Sequence, residues 1–137
     1  MDEDEARRRF ALGRVARLAT VSGDGKPHVV PCTFAVDEDK VYVAVDHKPK
    51  TTTRLKRLAN IAANPSVTMI VDYYDDEDWT ALWWVRADGQ ASVITDPAVA
   101  AGPIELLAAR YPQYRDVRPD GPVIAITVTR WSSWSAS

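Results

Sequence analysis

The spacing of apolar runs is the feature that most limits what this chain can fold into. Beyond residue 15 the sequence breaks into short stretches of β-branched and apolar residues, and most links between them hold only a few polar or turn-forming residues. A parallel crossover needs a dozen or more residues, so these links force neighbouring stretches to run antiparallel. Runs at 16–22 and 28–36 flank the turn Gly23-Asp24-Gly25-Lys26 and read as a hairpin. After Asp37-Glu38-Asp39-Lys40, a third strand over 41–46 alternates Val41, Val43 and Val45 with Tyr42, Ala44 and Asp46. A fourth is expected over 67–74, two more over about 80–86 and 90–94 turning at Ala87-Asp88-Gly89, and a last over 123–130.

Helices fill the remainder. Asp2-Glu3-Asp4-Glu5 ahead of Arg7-Arg8-Arg9 puts charge where the helix dipole favours it, which predicts a helix over about 3–14. Thr51-Thr52-Thr53 supply N-cap candidates for a second through about residue 62, stopped by Asn64-Pro65. A third spans about 97–111, kinked near Gly102-Pro103. The expectation is a mainly β, antiparallel, barrel-like domain of six to seven strands with two to three flanking helices, occupying residues 1–137 as one unit.

Composition removes several function classes. With 17 Lys+Arg against 19 Asp+Glu, the net charge of −2 offers no overall field for nucleic acid or an anionic membrane. One cysteine, Cys32, cannot form an internal disulfide, and His28 and His47 have no partners at metal-ligand spacing, so no metal site is expected and a reducing, cytoplasmic home is. No apolar run is long enough for a membrane span, and Arg7-Arg8-Arg9 is followed by too short an apolar stretch for a signal peptide. Gly-rich phosphate loops are absent, and Ser22, Ser132 and Ser133 lie outside any nucleophile-elbow context. The acidic stretch Asp75-Asp76-Glu77-Asp78 lacks the glycine and terminal Glu of a calcium loop and reads as solvated.

Two features point to a ligand. The stretch from Asp46 to Arg57 joins a strand end to a helix start and carries Lys48, Lys50 and Arg54 where amide donors and the positive dipole end already gather. A phosphate would satisfy these groups, with threonine hydroxyls adding neutral donors; a solvated basic turn facing the acidic loop is the alternative. Pro31 has no amide proton for a ladder, so it belongs at an edge or bulge, where nearby backbone groups are left for a ligand. The second feature is five tryptophans, Trp79, Trp83, Trp84, Trp131 and Trp134. Adjacent Trp83 and Trp84 must face opposite sides of a strand, so one enters the core while the other needs a partner surface, a second subunit or a planar ligand, of which a dimer interface suits the cluster better.

The order Val15-Ala16-Arg17-Leu18-Ala19-Thr20-Val21, Gly25-Lys26-Pro27-His28-Val29-Val30-Pro31, Lys48-Pro49-Lys50-Thr51 and Asn64-Pro65-Ser66-Val67 resembles the flavin and deazaflavin split-barrel superfamily related to pyridoxine-phosphate oxidase. Within it, the chain is similar to the coenzyme F420-dependent oxidoreductases. The likeness runs over about residues 10–134 and rests on the order of its motifs. It implies a split barrel that forms a homodimer with cofactor clefts at the subunit interface. By that resemblance Lys48, Lys50 and Thr51 would hold the cofactor phosphate, and Pro31, Cys32, Val45 and Asp46 would line the ring and ribityl chain, largely through backbone. Trp79 and Trp83 would close over the ring from the partner subunit, with Trp131 and Trp134 as further candidates, and Lys26 and Arg54 would meet an anionic tail. The basic stretch lacks the Arg-x-Val-Leu-Leu-Lys pattern of the FMN-binding oxidases, which favours F420 over FMN. The implied activity is hydride transfer between the deazaflavin and a small unsaturated substrate, with Tyr73, Tyr74 or bulk water as proton donor. An FMN-binding oxidase and a non-enzymatic flavin, deazaflavin or tetrapyrrole carrier are the alternatives.

Overall fold

The structure, a computed structural model, describes residues 1–45 and 52–137, the side chains of 52–55 apart. Helix α1 (Glu3–Leu12) starts on Asp2, whose carboxylate accepts from the Glu5 amide at 2.8 Å. Its Glu5 then pairs with Arg9 at 3.0 Å one turn on. Strands β1 (Ala16–Val21), β2 (Pro27–Cys32), β3 (Ala35–Asp37) and β4 (Lys40–Ala44) follow, then α2 (Thr52–Ala63), β5 (Ser66–Tyr73), a 3-10 turn (Trp79–Ala81), β6 (Trp83–Ile94), α3 (Pro97–Arg110), a short α4 (Pro112–Asp116) and β7 (Val123–Ser135).

All seven strands form one antiparallel sheet in the order β2-β1-β5-β6-β7-β4-β3. The two edge strands, β2 and β3, are consecutive in sequence and separated only by Thr33 and Phe34. Six strand spacings would hold the edges of a flat sheet about 29 Å apart, whereas the link from Cys32 to Ala35 reaches only about 11 Å. The sheet therefore curls until its edges meet, and the chain that closes it is split at Thr33-Phe34. This is the expected split barrel, with Phe10, Leu18, Phe34, Val41, Val43, Met69, Val85, Ile124 and Ile126 filling its interior.

The split has an identifiable cause. Phe34 is fully buried, yet its backbone does not join a ladder. Its amide donates to the Tyr111 hydroxyl at 3.2 Å, and its carbonyl accepts from Arg110 Nη1 at 2.9 Å. Arg110 Nη2 also donates to the Gly13 carbonyl, and the Tyr111 hydroxyl to the Arg14 carbonyl at 2.9 Å. The end of α3 thus substitutes for a neighbouring strand, satisfying buried backbone groups that would otherwise oppose the break. The expected single strand over 28–36 is corrected to β2 and β3 on this ground.

A second correction concerns the expected turn at Ala87-Asp88-Gly89. Strand β6 runs straight through it, pairing with β7 from Trp83↔Ser135 to Ile94↔Val123, with a bulge where Asp88 faces Arg130 and Gly89 faces Val128. The total of seven strands stands because one expected strand divides and two merge. Strand β7 also continues five residues past the expected end at residue 130. The helices fall where expected, with α3 carrying Pro103 inside it and α4 added beyond it. Among the described residues no helix is long and apolar enough to cross a membrane.

Candidate functional site

The strand split, β4 and α2 together shape a cleft of about 330 Å³ lined by Pro31, Cys32, Thr33, Ala44, Arg57 and Tyr114, with Val15 at its side. Pro31 and Cys32 end the edge strand β2, which is paired on one side only. That is where a residue without an amide proton fits. Ala44 and Arg57 bracket the basic stretch in the sequence and both reach the cleft. Helix α2 is fixed beside it by Asn60, whose side-chain amide donates to the buried Thr20 hydroxyl at 3.1 Å.

Arg57 is the residue that sequence reasoning passed over. Its Nε is shielded from solvent and has no hydrogen-bond partner among the described residues, and no carboxylate there pairs with it. A half-buried guanidinium left in this way costs stability unless something anionic completes it. The signal was present, since Arg57 lies one turn beyond the threonine run, on the helix face that also carries Asn60 and Ile61. The residues of the cleft fit an oxyanion, because Arg57 brings a permanent positive charge to its lining and no other charged side chain lines it among the described residues.

Cys32 is a wall and not a nucleophile. Burial pushes its thiol up to about 11, against which the positive charges of Arg57 and Arg17 act only partly. The thiolate is the reactive form, so at pH 7.5 alkylation by iodoacetamide is expected to be at least ~10-fold slower than for an exposed cysteine. The rate should still be climbing above pH 9; a plateau below pH 9 would contradict the buried, protonated thiol.

The other expected site residues separate into groups. Asp46, Lys48, Lys50 and Thr51 lie outside the described residues, as do His47 and the Arg54 side chain. Val45 is buried in the barrel core and its amide donates to the Pro122 carbonyl at 2.9 Å. Trp83 packs against the core under the Arg9 guanidinium, 5.4 Å from its ring centre, and lines a different hollow of about 300 Å³ with Tyr73 and Leu82. Trp79 is exposed beside it, in the 3-10 turn capped by Asp78. Trp131 meets Phe10 edge-on at 5.1 Å, inside the same chain's core. Within one chain, then, Pro31 and Cys32 share the cleft and neither Trp79 nor Trp83 enters it. Tyr73 and Tyr74, at the far end of β5, do not line it either; the tyrosine that does is Tyr114.

Trp83 and Trp84 face opposite sides as their adjacency requires. The register Trp84↔Trp134, Ile70↔Arg17 and Ala19↔Val29 places Trp84, Trp134, Ile70 and Val29 on the outer face of the sheet. Arg86 lies over the Trp84 ring at 5.8 Å. The acidic loop spends its carboxylates locally, Asp75 accepting from the Glu77 amide and Asp78 from the Thr80 amide.

Comparison with known proteins follows this geometry. Residues 2–135 match the pyridoxamine 5'-phosphate oxidase family. A 56-residue segment is 36% identical to 5a,11a-dehydrotetracycline/5a,11a-dehydrooxytetracycline reductase of Streptomyces rimosus, covering 41% of this chain and 38% of that enzyme. The match therefore spans well under half of the reductase. A conserved hypothetical protein of Mycobacterium tuberculosis superposes with a TM-score of 0.78 at 21% identity, covering 99% of this chain and 86% of its own. An FAD-binding protein of Mesorhizobium loti superposes at 0.75, again with 21% identity, over 97% and 94% of the two chains. Likeness at that identity speaks for the fold.

Proposed function

The chain belongs to the pyridoxamine 5'-phosphate oxidase family, and from that premise we propose that it is a cytoplasmic, homodimeric oxidoreductase that uses the deazaflavin coenzyme F420 to reduce a small unsaturated substrate. The observation that carries the reading is a cleft that sets Pro31 and Cys32 of the edge strand with Arg57 of α2, a cation whose Nε has no hydrogen-bond partner among the described residues. The Mesorhizobium neighbour binds FAD and the Streptomyces relative reduces a dehydro compound, which supports a flavin-type cofactor and the reductive direction. The choice of F420 over FMN rests on the missing Arg-x-Val-Leu-Leu-Lys pattern.

A reduced deazaflavin, when bound, supplies a hydride from its ring carbon. The protein's part is to bind, orient and keep water out. Arg57 would neutralise the phosphate from α2, together with Lys48, Lys50 and Thr51, while the edge strand at Pro31-Cys32 offers backbone to the ring and ribityl chain. Cys32, held protonated, presents a neutral wall. On the outer face Val29, Ile70, Trp84 and Trp134, set among the Arg17–Asp72 and Arg86–Asp88 pairs, support pairing with a second copy, and the exposed Trp79 of the partner would then be the tryptophan brought toward the ring, Trp83 being packed on the other side of the sheet.

Titration of the purified protein with oxidised F420 and with FMN, followed by tryptophan quenching, tests this. F420 should bind at least ~10-fold more tightly than FMN, and Lys50→Ala should weaken F420 by about tenfold, the worth of one charge-assisted contact. Binding of FMN alone would move the protein to the FMN-dependent oxidases, unchanged affinity in Lys50→Ala would remove that lysine from the site, and binding of neither cofactor would reject the reading.

A further inference from the structure

Among the described residues the buried polar side chains are Thr20, with no exposure, and Asn60, with 4%, and they are bonded to each other. Asn60 Nδ2 donates to Thr20 Oγ1 at 3.1 Å, and among the described residues no other side-chain hydrogen bond joins α2 to the sheet. His28 stands opposite Thr20 in the hairpin, yet its Nδ1 is shielded and has no hydrogen-bond partner among the described residues. The helix otherwise rests on the barrel through Ile61, in the core, and Leu58, packed against it. Apolar contact of that kind has no direction, so it tolerates a helix that rolls or slides. The amide-to-hydroxyl bond is made in one register only. A neutral bond of this type adds little net stability over an apolar pair of the same shape, so its contribution is placement. Arg57 lies three residues before Asn60, about one turn away, and lines the cleft with Pro31 and Cys32. Rolling α2 by one residue turns Arg57 by about 100°, and sliding it by one turn moves Arg57 by about 5.4 Å; either takes the guanidinium from the cleft.

We propose that Asn60 and Thr20 are a positioning pair for Arg57: their bond sets the register of α2 on β1 and thereby holds the guanidinium at the wall of the cleft. That Arg57 serves a bound cofactor rests on the reading above, whereas its placement from Asn60 rests on the fold alone. The pair touches neither the cleft nor any ligand in it, and acts only through the helix it fixes. A polar contact buried where an apolar one would serve folding equally well is thus given a task, the orientation of a charge one turn away.

The test uses Cys32 as a reporter of Arg57 in the protein without ligand. Of the two charges that hold the Cys32 thiol down against burial, Arg57 is the larger. Thr20→Val with Asn60→Leu removes the bond, leaves neither partner unpaired and keeps both shapes, so the melting temperature should stay within about 3 °C of the wild type. Alkylation of Cys32 by iodoacetamide at pH 9 should nevertheless slow by ~3-fold or more, as Arg57 moves off and the thiol pKa rises. Thr20→Ser keeps the hydroxyl and should alkylate at the wild-type rate. In an Arg57→Met background the Thr20 and Asn60 changes should add nothing, which separates the loss of Arg57 from a change in the burial of Cys32. A folded double variant with the wild-type alkylation rate, or the same slowing in the Arg57→Met background, would overturn the proposal. Should the double variant fail to fold, Thr20→Val against Thr20→Ser decides in the same way, slowing in the first alone supporting the pair and equal rates rejecting it. F420 affinity is read in parallel and should fall by ~10-fold in the double variant. A wild-type protein that binds no F420 removes the cofactor reading and leaves the alkylation rates to decide the pair.

Discussion

Replacing Gly89 with valine is expected to cost about 3 kcal/mol or more, or to prevent folding altogether. A Cβ at this position would stand 2.3 Å from the Thr127 carbonyl oxygen and 3.0 Å from Ile126 Cγ2. The first of these is backbone in the facing strand, so no side-chain rotation relieves it. Relief would require β6 and β7 to separate, yet these are the longest strands of the barrel and pair across it from Trp83↔Ser135 to Ile94↔Val123. The bulge beside Gly89 is already committed, with the Thr129 hydroxyl donating to the Asp88 carbonyl at 3.2 Å. Urea unfolding followed by circular dichroism measures the loss. Gly23→Ala is the control, since its Cβ meets only Ala63 Cβ at 3.5 Å, an ordinary contact, and should change stability by less than about 1 kcal/mol. A Gly89→Val protein of near wild-type stability would mean that the two strands are not packed as closely as described.

Gly89 also shows where the sequence was legible and where it was misread. Asp88-Gly89 has the chemistry of a two-residue hairpin turn, but alternation continues across it: Val85, Ala87, Gly89 and Ala91 all face inward. A turn there would have broken that period, which runs from four residues before Gly89 to two after it. The break at Thr33-Phe34 was not available in the same way. Its cause is Arg110 and Tyr111, some 77 residues downstream, and no local signal around an apolar run such as 28–36 announces a partner that distant. The same separation hid Tyr114 from the site, because it reaches the cleft only through the packing of α3 and α4. Pro31 and Cys32 were legible because their meaning is local: a proline within a strand run demands an edge, and the edge is where the cleft forms. Val45 follows the alternation it was read with, and alternation sends it into the core.

Arg57→Met separates binding from folding by moving them in opposite directions. Methionine keeps an unbranched aliphatic stem of similar length and removes the charged head. In the protein without ligand that head is half-buried, with an Nε that has no partner among the described residues, so its removal should raise the melting temperature by a few degrees. With ligand the balance reverses. A guanidinium bonded to a phosphate is worth roughly 1.5–3 kcal/mol in a screened site, so F420 affinity should fall by up to ~100-fold. The Cys32 thiol reports the same change independently: Arg57 is the larger of the two charges that hold its pKa down, so in the variant the thiol moves further up and alkylation slows again. Calorimetry, thermal melting and alkylation rate together decide the matter. A variant that melts lower and binds F420 as the wild type does would show that Arg57 is a packing residue, with the partner of its charge supplied from within the chain. One that melts higher and loses F420 identifies a cation maintained at a cost to the fold, and a ligand is then what it is maintained for.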